Sequence, residues 1–176
     1  MPREELSLFS YEVLGLIGRE GAGPHDLRRM VERGKLLAWA GESRYYTEPK
    51  RLAKLGYLAA TKEPGRTRDR TVYKLTDKGR RALRSWAKTP VALTPLKAEA
   101  LVRLLIADLV GDATTRKSLA ALRDEADDLR RRLDEMVEGA EERLPHRARY
   151  LELVNEFLRG YLDLHEQLVD QVEREL

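Results

Sequence analysis

The sequence predicts a mainly α-helical protein with one small β-hairpin, and three observations lead to that prediction. Apolar residues recur at helical spacing over most of the 176 residues, as they do in amphipathic helices. Two short strand candidates flank Pro64 and Gly65, a pair suited to a tight turn. Charge also divides the chain, because residues 1–92 hold 20 Lys and Arg against 11 Asp and Glu, whereas residues 93–176 hold 13 against 19. A basic half joined to an acidic half predicts that one half meets a polyanion.

Composition and motif content narrow the class of protein. Charged residues make up 36% of the chain, and without cysteine neither disulfides nor thiolate zinc sites are possible. His25, His146 and His165 are too far apart in sequence for metal-ligand spacing, and no motif of a serine hydrolase or zinc protease occurs. The N-terminus does not resemble a signal peptide and no apolar run could span a bilayer. We therefore expect a cytoplasmic protein with no membrane partner, no enzymatic activity, no cofactor and no metal.

Two helices separated by a glycine-rich turn are predicted at the N-terminus. Residues 6–19 have apolar residues at helical spacing and are expected to be largely buried. Residues 18–24, GREGAGP, contain a G-x-x-G-x-G pattern, but no strand precedes it, so a turn is favoured over a phosphate-binding loop. The final proline of this segment suits the first turn of a second helix that runs to about Arg33. The apolar connector that follows, residues 34–41, is expected to place Trp39 in the interior.

A third helix is predicted from Ser43 to Gly56, in SRYYTEPKRLAKLG. The hydroxyl of Ser43 can cap its start, and Gly56 suits its end. Pro49 lies within the segment and leaves two geometries open. Either the helix begins at Ser43 and bends near Pro49, which we favour, or Thr47 caps a helix that holds Pro49 in its first turn. On a helical wheel Pro49 falls on the apolar side.

A β-hairpin and a fourth helix complete the N-terminal half. Residues 57–62 and 70–75 are strand candidates, joined through the arginine-rich tip EPGRTRDR. Thr76 can cap the helix that follows and runs to about Lys88. Three helices followed by a hairpin and a helix form a winged helix-turn-helix, in which the third helix can enter the DNA major groove. We therefore predict a winged helix-turn-helix DNA-binding domain over residues 1–90.

The C-terminal half, residues 91–176, is predicted to be a helical dimerisation domain. Residues 89–95 serve as a hinge, and helices are expected over residues 96–110 and about 112–143, followed by a third. The last two carry apolar residues at alternating steps of three and four, which predicts coiled-coil-like packing in a hairpin. One hairpin buries little apolar surface, so we expect a second chain to cover the rest in a homodimer. The predicted interface residues are Leu101, Leu104, Leu105, Leu119, Leu122, Leu129, Leu133, Leu151, Val154, Leu158, Tyr161, Leu168 and Val172.

Three segments resemble the PadR family of transcriptional regulators. VLGLIGREGAGPHDLRRMV is similar to the family's first two helices, and SRYYTEPKRLAKLGYL is similar to its third-helix pattern S-x-x-Y-x-x-L-x-R-L-x-x-x-G-L. TVYKLTDKGRRAL resembles the second wing strand and the following helix. The C-terminal half resembles the helical dimerisation domain of the longer, virulence-activator-like members. Pro49 departs from the pattern, because the family usually has leucine there.

The resemblance implies a dimeric, ligand-responsive repressor that binds an inverted-repeat operator in double-stranded DNA. It also implies a small-molecule effector, because founding members of the family respond to phenolic acids and others respond to varied molecules and drugs. Trp39 and Trp86 are candidates for the effector pocket, since flat aromatic ligands stack on indoles. The simpler interpretation of each is an ordinary core or interface tryptophan.

The side of the third helix opposite its apolar residues is the predicted DNA face. Its Lys and Arg can bond guanine edges or phosphates, and Tyr46 can bond a phosphate or touch a thymine methyl. Wing arginines are candidates for backbone or minor-groove contacts. The alternative for each residue is a solvated basic surface. The predicted DNA-binding residues are Ser43, Arg44, Tyr46, Thr47, Lys50, Arg51, Lys54, Lys62, Arg66, Arg68 and Arg70.

Two other functions stay open at this point. The charge division also permits a protein-interaction module, a helical dimer whose winged domain binds a protein partner instead of DNA. An enzyme that uses a pocket between the two halves is a more distant option, and it would need at least two converging titratable groups with shifted pKa.

Overall fold

The computed structural model describes residues 6–33, 40–64, 69–93 and 95–176. The chain forms two compact units, Met1–Ala92 and Leu93–Leu176. The N-terminal unit contains α1 (Leu8–Ile17), α2 (Pro24–Arg33), α3 (Arg44–Lys54), β1 (Leu58–Glu63), β2 (Arg70–Leu75) and α4 (Asp77–Trp86). The mainly helical fold with an antiparallel hairpin confirms the predicted fold class.

Helix α1 supplies the centre of the core of the N-terminal unit. Val13 and Leu14 are fully enclosed, and side chains from α2, α3 and both strands surround them. Fully burying one such aliphatic side chain stabilises a fold by about 1.5–3 kcal/mol. The buried core residues are Leu6, Phe9, Val13, Leu14, Ile17, Ala22, Leu27, Tyr45, Leu52, Leu58 and Tyr73.

The glycine-rich segment between α1 and α2 is a turn, as predicted, and it also pairs with the hairpin. Ala22 and Tyr73 exchange two backbone hydrogen bonds of 3.0 Å. Gly21 has a φ of +84°, and a Cβ at this position would lie 2.8 Å from the carbonyl oxygen of Tyr73. The glycine pattern therefore serves a tight turn and a close backbone approach.

Helix α3 begins at Arg44 and runs through Pro49 without interruption. Ser43 occupies the N-cap position, but its backbone is helical (φ −58°, ψ −27°) and its hydroxyl makes no capping bond, so the predicted hydroxyl cap is wrong. The alternative in which Thr47 caps the helix is also wrong, because Thr47 lies in the first turn. Pro49 is buried on the core side, as predicted.

The end of α3 is closed as predicted at Gly56, whose φ is +78°. Its N–H donates to the carbonyl of Ala53 at 3.0 Å, and the N–H of Tyr57 donates to the carbonyl of Leu52 at 2.9 Å, which together form a Schellman motif. Lys78, at the start of α4, donates to the carbonyl of Leu55 at 2.6 Å. The last turn of α3 is thereby tied to α4.

Thr76 caps α4 as predicted. Its Oγ1 accepts from the N–H of Gly79 at 3.1 Å and donates to the carbonyl of Gly56 at 2.7 Å. Gly79 packs directly against the backbone of Tyr57, where a Cβ would clash with the carbonyl oxygen. One threonine and one glycine therefore join the base of the hairpin, the end of α3 and the start of α4.

The C-terminal unit contains α5 (Glu99–Leu105), α6 (Ala107–Val110), α7 (Asp112–Val137), α8 (Ala140–Arg143) and α9 (Ala148–Glu175). The single helix predicted over residues 96–110 is wrong, since Ala98 is extended and Ile106 (ψ 10°) separates α5 from α6. The single helix predicted over residues 112–143 is also wrong. It is interrupted at Gly139, whose φ of +65° is incompatible with a right-handed helix.

Helices α7 and α9 form the predicted antiparallel hairpin. In α7 the predicted seam residues Leu119, Leu129 and Leu133 are buried. In α9 the buried residues include Leu162 and Val169, one position beyond the predicted Tyr161 and Leu168, which are half-buried. The predicted Leu158 and Val172 are buried as well, so the predicted seam of α9 is correct at these two positions and displaced by one residue at the other two.

Arginines of α7 pair with carboxylates of α9 along the edge of this seam. Arg123 contacts Asp170 and Glu173, each at 2.5 Å. One heptad further on, Arg130 contacts Asp163 at 2.5 Å and also pairs with Glu166. Such pairs, distributed at heptad spacing, favour this register of the antiparallel helices. Within the described residues no helix is long and apolar enough to cross a membrane.

Candidate nucleic-acid interface

Helix α3 presents a polar, cationic surface to solvent. Its inner side is closed by Tyr45, Pro49 and Leu52, which are buried in the core. Its outer side exposes five of the predicted DNA-binding residues, so the amphipathic division predicted from the sequence is confirmed. These exposed residues are Ser43, Arg44, Thr47, Lys50 and Lys54, and we call them the outer face of α3.

Arg51, predicted to contact DNA, is engaged within the chain. Its guanidinium donates to both carboxylate oxygens of Glu48, at 2.9 and 2.7 Å, and to the hydroxyl of Ser10 at 3.1 Å. The bonds from Arg51 hold the pKa of the Glu48 carboxyl below its usual range, although burial opposes the shift, and the Ser10 hydroxyl adds to the lowering. Sequence reasoning missed Glu48, although a carboxylate three residues before an arginine is a local signal of such a pair.

Arg44 and Tyr46, at the start of α3, also contact neighbouring elements. The guanidinium of Arg44 lies 4.3 Å from the ring centre of Phe9, a cation–π contact, while the side chain remains exposed. Tyr46 is half-buried and shares a side-chain hydrogen bond with Arg28 of α2. Arg28 also pairs with Glu42 at 2.9 Å. The first turn of α3 is thus fixed against α1 and α2.

The strands of the wing carry two further predicted DNA-binding residues. Lys62 in β1 is exposed, and its Cα partner in the register is Thr71. Arg70 in β2 lies 3.4 Å from Glu63 and 3.7 Å from Asp26, and it remains more than half exposed. Arg66 and Arg68 of the tip lie outside the described residues, as does Gly65 of the turn predicted at Pro64–Gly65.

Of the two predicted effector-pocket residues, the structure describes only Trp86. Trp39 lies outside the described residues. Trp86, at the end of α4, is partly exposed and stacks on Tyr11 of α1, with ring centres 4.6 Å apart and an angle of 7° between the planes. One face of each ring in this stack is occupied by the other ring, so a flat molecule could not stack between them.

The C-terminal unit offers an apolar groove that the sequence did not indicate. It encloses about 250 Å³ between α5 and α9, and Leu101, Tyr161, Leu164 and Leu168 are among its walls. His165 also lines it, and its Nδ1 lies 2.9 Å from the carbonyl oxygen of Tyr161, which can only accept, so Nδ1 carries the proton. Among the described residues no group of three or more His, Asp or Glu is placed to hold a metal ion.

The predicted interface residues divide into buried and accessible sets. Leu119, Leu129, Leu133, Leu158 and Val172 are buried inside the chain's own helices. Leu104, Leu122, Leu151, Tyr161 and Leu168 are half-buried, and Leu101, Leu105 and Val154 are exposed. Besides the predicted Val154, helix α9 exposes four apolar residues that the prediction omitted, at steps of three, four and seven. We call Tyr150, Leu153, Val154, Phe157 and Leu164 the outer stripe of α9.

Residues 13–85 match the transcriptional regulator PadR-like family. The chain also shares its fold with the PadR-like transcriptional regulator BC1756 from Bacillus cereus, at 16% identity over 98% of this chain and 99% of that one, with a TM-score of 0.76. The Vibrio cholerae virulence activator AphA is similar at 23% identity over 94% and 96% of the two chains, with a TM-score of 0.69.

A third similar structure is Bacillus subtilis PadR in complex with operator DNA, at 19% identity over 94% of this chain and 99% of that one, with a TM-score of 0.66. The same regulator in complex with p-coumaric acid is similar at 20% identity over 95% and 99%, with a TM-score of 0.58. No curated protein matches the chain. The family that matches residues 13–85 is one of transcriptional regulators, and the similar structures share the fold of this chain.

Proposed function

Because this chain carries a PadR-like transcriptional regulator domain, we propose that it is a cytoplasmic, ligand-responsive repressor that binds an inverted-repeat operator as a homodimer. The observation that carries the proposal is the outer face of α3. It presents exposed cations on a helix whose other side is anchored in the core, in a fold shared with an operator-bound regulator. In this proposal residues 1–90 bind DNA and residues 91–176 form the dimer.

The chemistry of the outer face of α3 suits a DNA groove. Lys50 and Lys54 can meet phosphates or guanine edges, and the hydroxyls of Ser43 and Thr47 can bond either. Lys62 in the wing is placed on an exposed strand, where it can meet the backbone beside the groove. Helix α3 thus acts as the recognition helix and the hairpin as the wing.

The outer stripe of α9 supports the proposed homodimer. Leu153, Phe157 and Leu164 are 57%, 75% and 60% exposed, and an apolar surface of this extent is unusual on a monomer. Predicted interface side chains that are buried inside their own hairpin have little surface left for a second chain. We therefore restrict the proposed interface to the outer stripe of α9 and to those predicted interface residues that are half-buried or exposed. A two-fold axis would place the recognition helices about 34 Å apart, on successive turns of an inverted repeat.

The proposed response to a ligand is supported by the comparisons with known proteins. It follows from the family and from the similarity to a regulator solved with p-coumaric acid. Trp86 remains a proposed effector contact, because ligand binding near its stack with Tyr11 would change its emission. A Trp86→Phe variant separates this signal from that of Trp39 in fluorescence titrations with candidate aromatic acids. Loss of the titration signal is the expected result, and an unchanged signal contradicts a role for Trp86.

The test of DNA binding uses the DNA immediately upstream of the gene. We expect tight, sequence-dependent retardation in gel shifts and a steep loss of affinity with salt, because bound cations release counterions from DNA. Lys50→Gln/Lys54→Gln should weaken binding by at least about tenfold, since two phosphate contacts are lost. Lys117→Gln/Lys97→Gln, which removes the same charge from the C-terminal unit, is the matched control.

Two outcomes would contradict the proposed function. Weak binding that does not distinguish the upstream DNA from a scrambled duplex would rule out a specific operator. Wild-type affinity in the Lys50→Gln/Lys54→Gln variant would remove α3 from the DNA contact and favour the protein-interaction module.

A further inference from the structure

A carboxylate of α3 and a hydroxyl of α1 together hold the guanidinium of Arg51. Nε and Nη2 donate two parallel bonds to the oxygens of Glu48, at 2.9 and 2.7 Å. Nη2 also lies 3.1 Å from Oγ of Ser10. Arg51 is therefore bound both to its own helix and to the helix that forms the centre of the core.

Ser10 links this arrangement to the start of α1. It is completely buried, and its hydroxyl donates to Glu48 at 2.7 Å. The N–H groups of Ser7 and Ser10 each donate to the other residue's hydroxyl oxygen, at 3.1 and 3.2 Å, which is a capping box. The carboxylate of Glu48 is thus anchored at the N-terminal cap of α1.

The pair of Glu48 and Arg51 is neutral as a whole. The carboxylate occupies the Nε–Nη2 edge of the guanidinium, one of the two edges through which an arginine can make paired bonds to a phosphate or a guanine. The side chain of Glu48 is only 12% exposed, against 41% for Arg51, so withdrawing the arginine would leave a poorly solvated negative charge. Lys50 and Lys54 are exposed on the outer face of α3, and a contact between them and DNA would not leave a buried carboxylate without its partner.

We propose that Arg51 is a positioning residue, which fixes α3 on α1 through Glu48 and Ser10 and adds no charge to the DNA contact. Cations such as Lys50 and Lys54 make that contact. The inference rests on the proposed DNA-binding function, and it changes the role that the sequence predicts for Arg51.

The test compares full-length variants in the slope of log K against log salt concentration, on a duplex from the upstream region. Each phosphate contact contributes about 0.9 to this slope. Glu48→Gln/Arg51→Gln removes both members of the pair and should keep the wild-type slope. Lys50→Gln, the matched single-charge control, should lower the slope by about 0.9. A drop of about 0.9 in the pair variant would overturn the proposal.

Arg51→Lys provides a second test that does not depend on the fold tolerating the double change. Lysine keeps the charge but cannot make the two parallel bonds. We expect affinity for the upstream duplex to fall about tenfold with an unchanged slope, and the circular dichroism spectrum to stay native. Wild-type affinity in Arg51→Lys, together with a loss in Arg51→Gln, would mean that charge alone matters and would overturn the proposal.

The experiments distinguish a failure of the proposed DNA-binding function from a failure of the proposed role of Arg51. A wild-type protein that shows no preference for the upstream duplex over a scrambled one contradicts the proposed function. The slopes measured on the scrambled duplex still decide the role of Arg51, because counterion release does not depend on sequence.

Discussion

Helices α3 and α9 are both amphipathic, but they expose opposite kinds of surface. The inner side of α3 is buried through Tyr45 and Leu52, and its outer side is polar and cationic. Helix α9 is apolar on two sides: Leu162 packs in the seam with α7, whereas Phe157 and its neighbours in the outer stripe face solvent. A charged outer surface is stable in water, whereas an apolar one of this extent indicates a partner.

The difference predicts where each unit depends on other molecules. The N-terminal unit closes its own core, so its fold does not depend on a ligand at the outer face of α3. Covering Leu153, Phe157 and Leu164 would contribute about 1.5–3 kcal/mol each, on both chains of a symmetric dimer. The C-terminal unit is therefore expected to gain stability from self-association.

The largest effect is expected from a double substitution that disrupts the proposed dimer. Phe157→Glu/Leu164→Glu places two carboxylates in the outer stripe of α9, where desolvating them would cost several kcal/mol. We expect light scattering at micromolar concentration to change from a dimeric to a monomeric mass, and binding to the upstream duplex to be lost. Arg174→Glu, with the same change in charge at an exposed position, should remain dimeric. A double variant that stays dimeric would contradict the role of the stripe.

The next largest effect is a difference in the free energy of unfolding between substitutions on the inner and outer sides of α3. Leu52→Ala leaves a cavity in the core of the N-terminal unit and should lower the free energy of unfolding by about 2–5 kcal/mol. Lys50→Ala, two residues away on the outer face, should change it by less than about 0.5 kcal/mol. Urea unfolding followed by circular dichroism measures both. Equal losses in the two variants would show that the helix is not divided in this way.

The smallest effect concerns the pH dependence of the Glu48 pair. Because the pKa of Glu48 is lowered in the folded chain, the ionised carboxylate contributes stability that is present above its unfolded pKa and lost as pH falls through the folded value. The free energy of unfolding of the wild type should exceed that of Glu48→Gln by about 1 kcal/mol at neutral pH. Urea unfolding should show this difference shrink as pH falls below the usual pKa of glutamate and vanish below the folded pKa, and a difference independent of pH would contradict the assignment.

Much of the N-terminal fold could be predicted from local signals. Thr76 and Gly56 were placed correctly at helix ends because cap and turn residues act on neighbouring backbone groups. The hydroxyl cap at Ser43 was predicted wrongly, because the residue adopts a helical backbone that turns its side chain away from the capping position. Pro49 was placed correctly on the core side, since the angular position along a helix follows from sequence spacing.

The candidate sites were predictable in part. The exposed residues of α3 were correctly placed on its outer side, but the engagement of Arg51 was missed. Its pairing with Glu48, three residues away, could have been found locally, whereas its bond to Ser10 spans 41 residues. In α9 the helical period was correct and Leu158 and Val172 were placed correctly in the seam, but Leu162 and Val169 are buried in place of Tyr161 and Leu168. Both sides of α9 carry apolar residues, so periodicity alone could not distinguish the side that packs on α7 from the side that faces outward.

By itself the sequence determined the mainly helical fold, the hairpin and the basic outer side of α3, because periodicity, turn residues and charge are properties of neighbouring residues. The tertiary structure decided which apolar residues of α9 fill the seam with α7 and which distant hydroxyl joins the pair of Arg51 and Glu48. These features depend on contacts such as that between Arg123 and Glu173, which are 50 residues apart. Such contacts form only when packing brings distant segments together, and no local pattern encodes which distant side chain will be met.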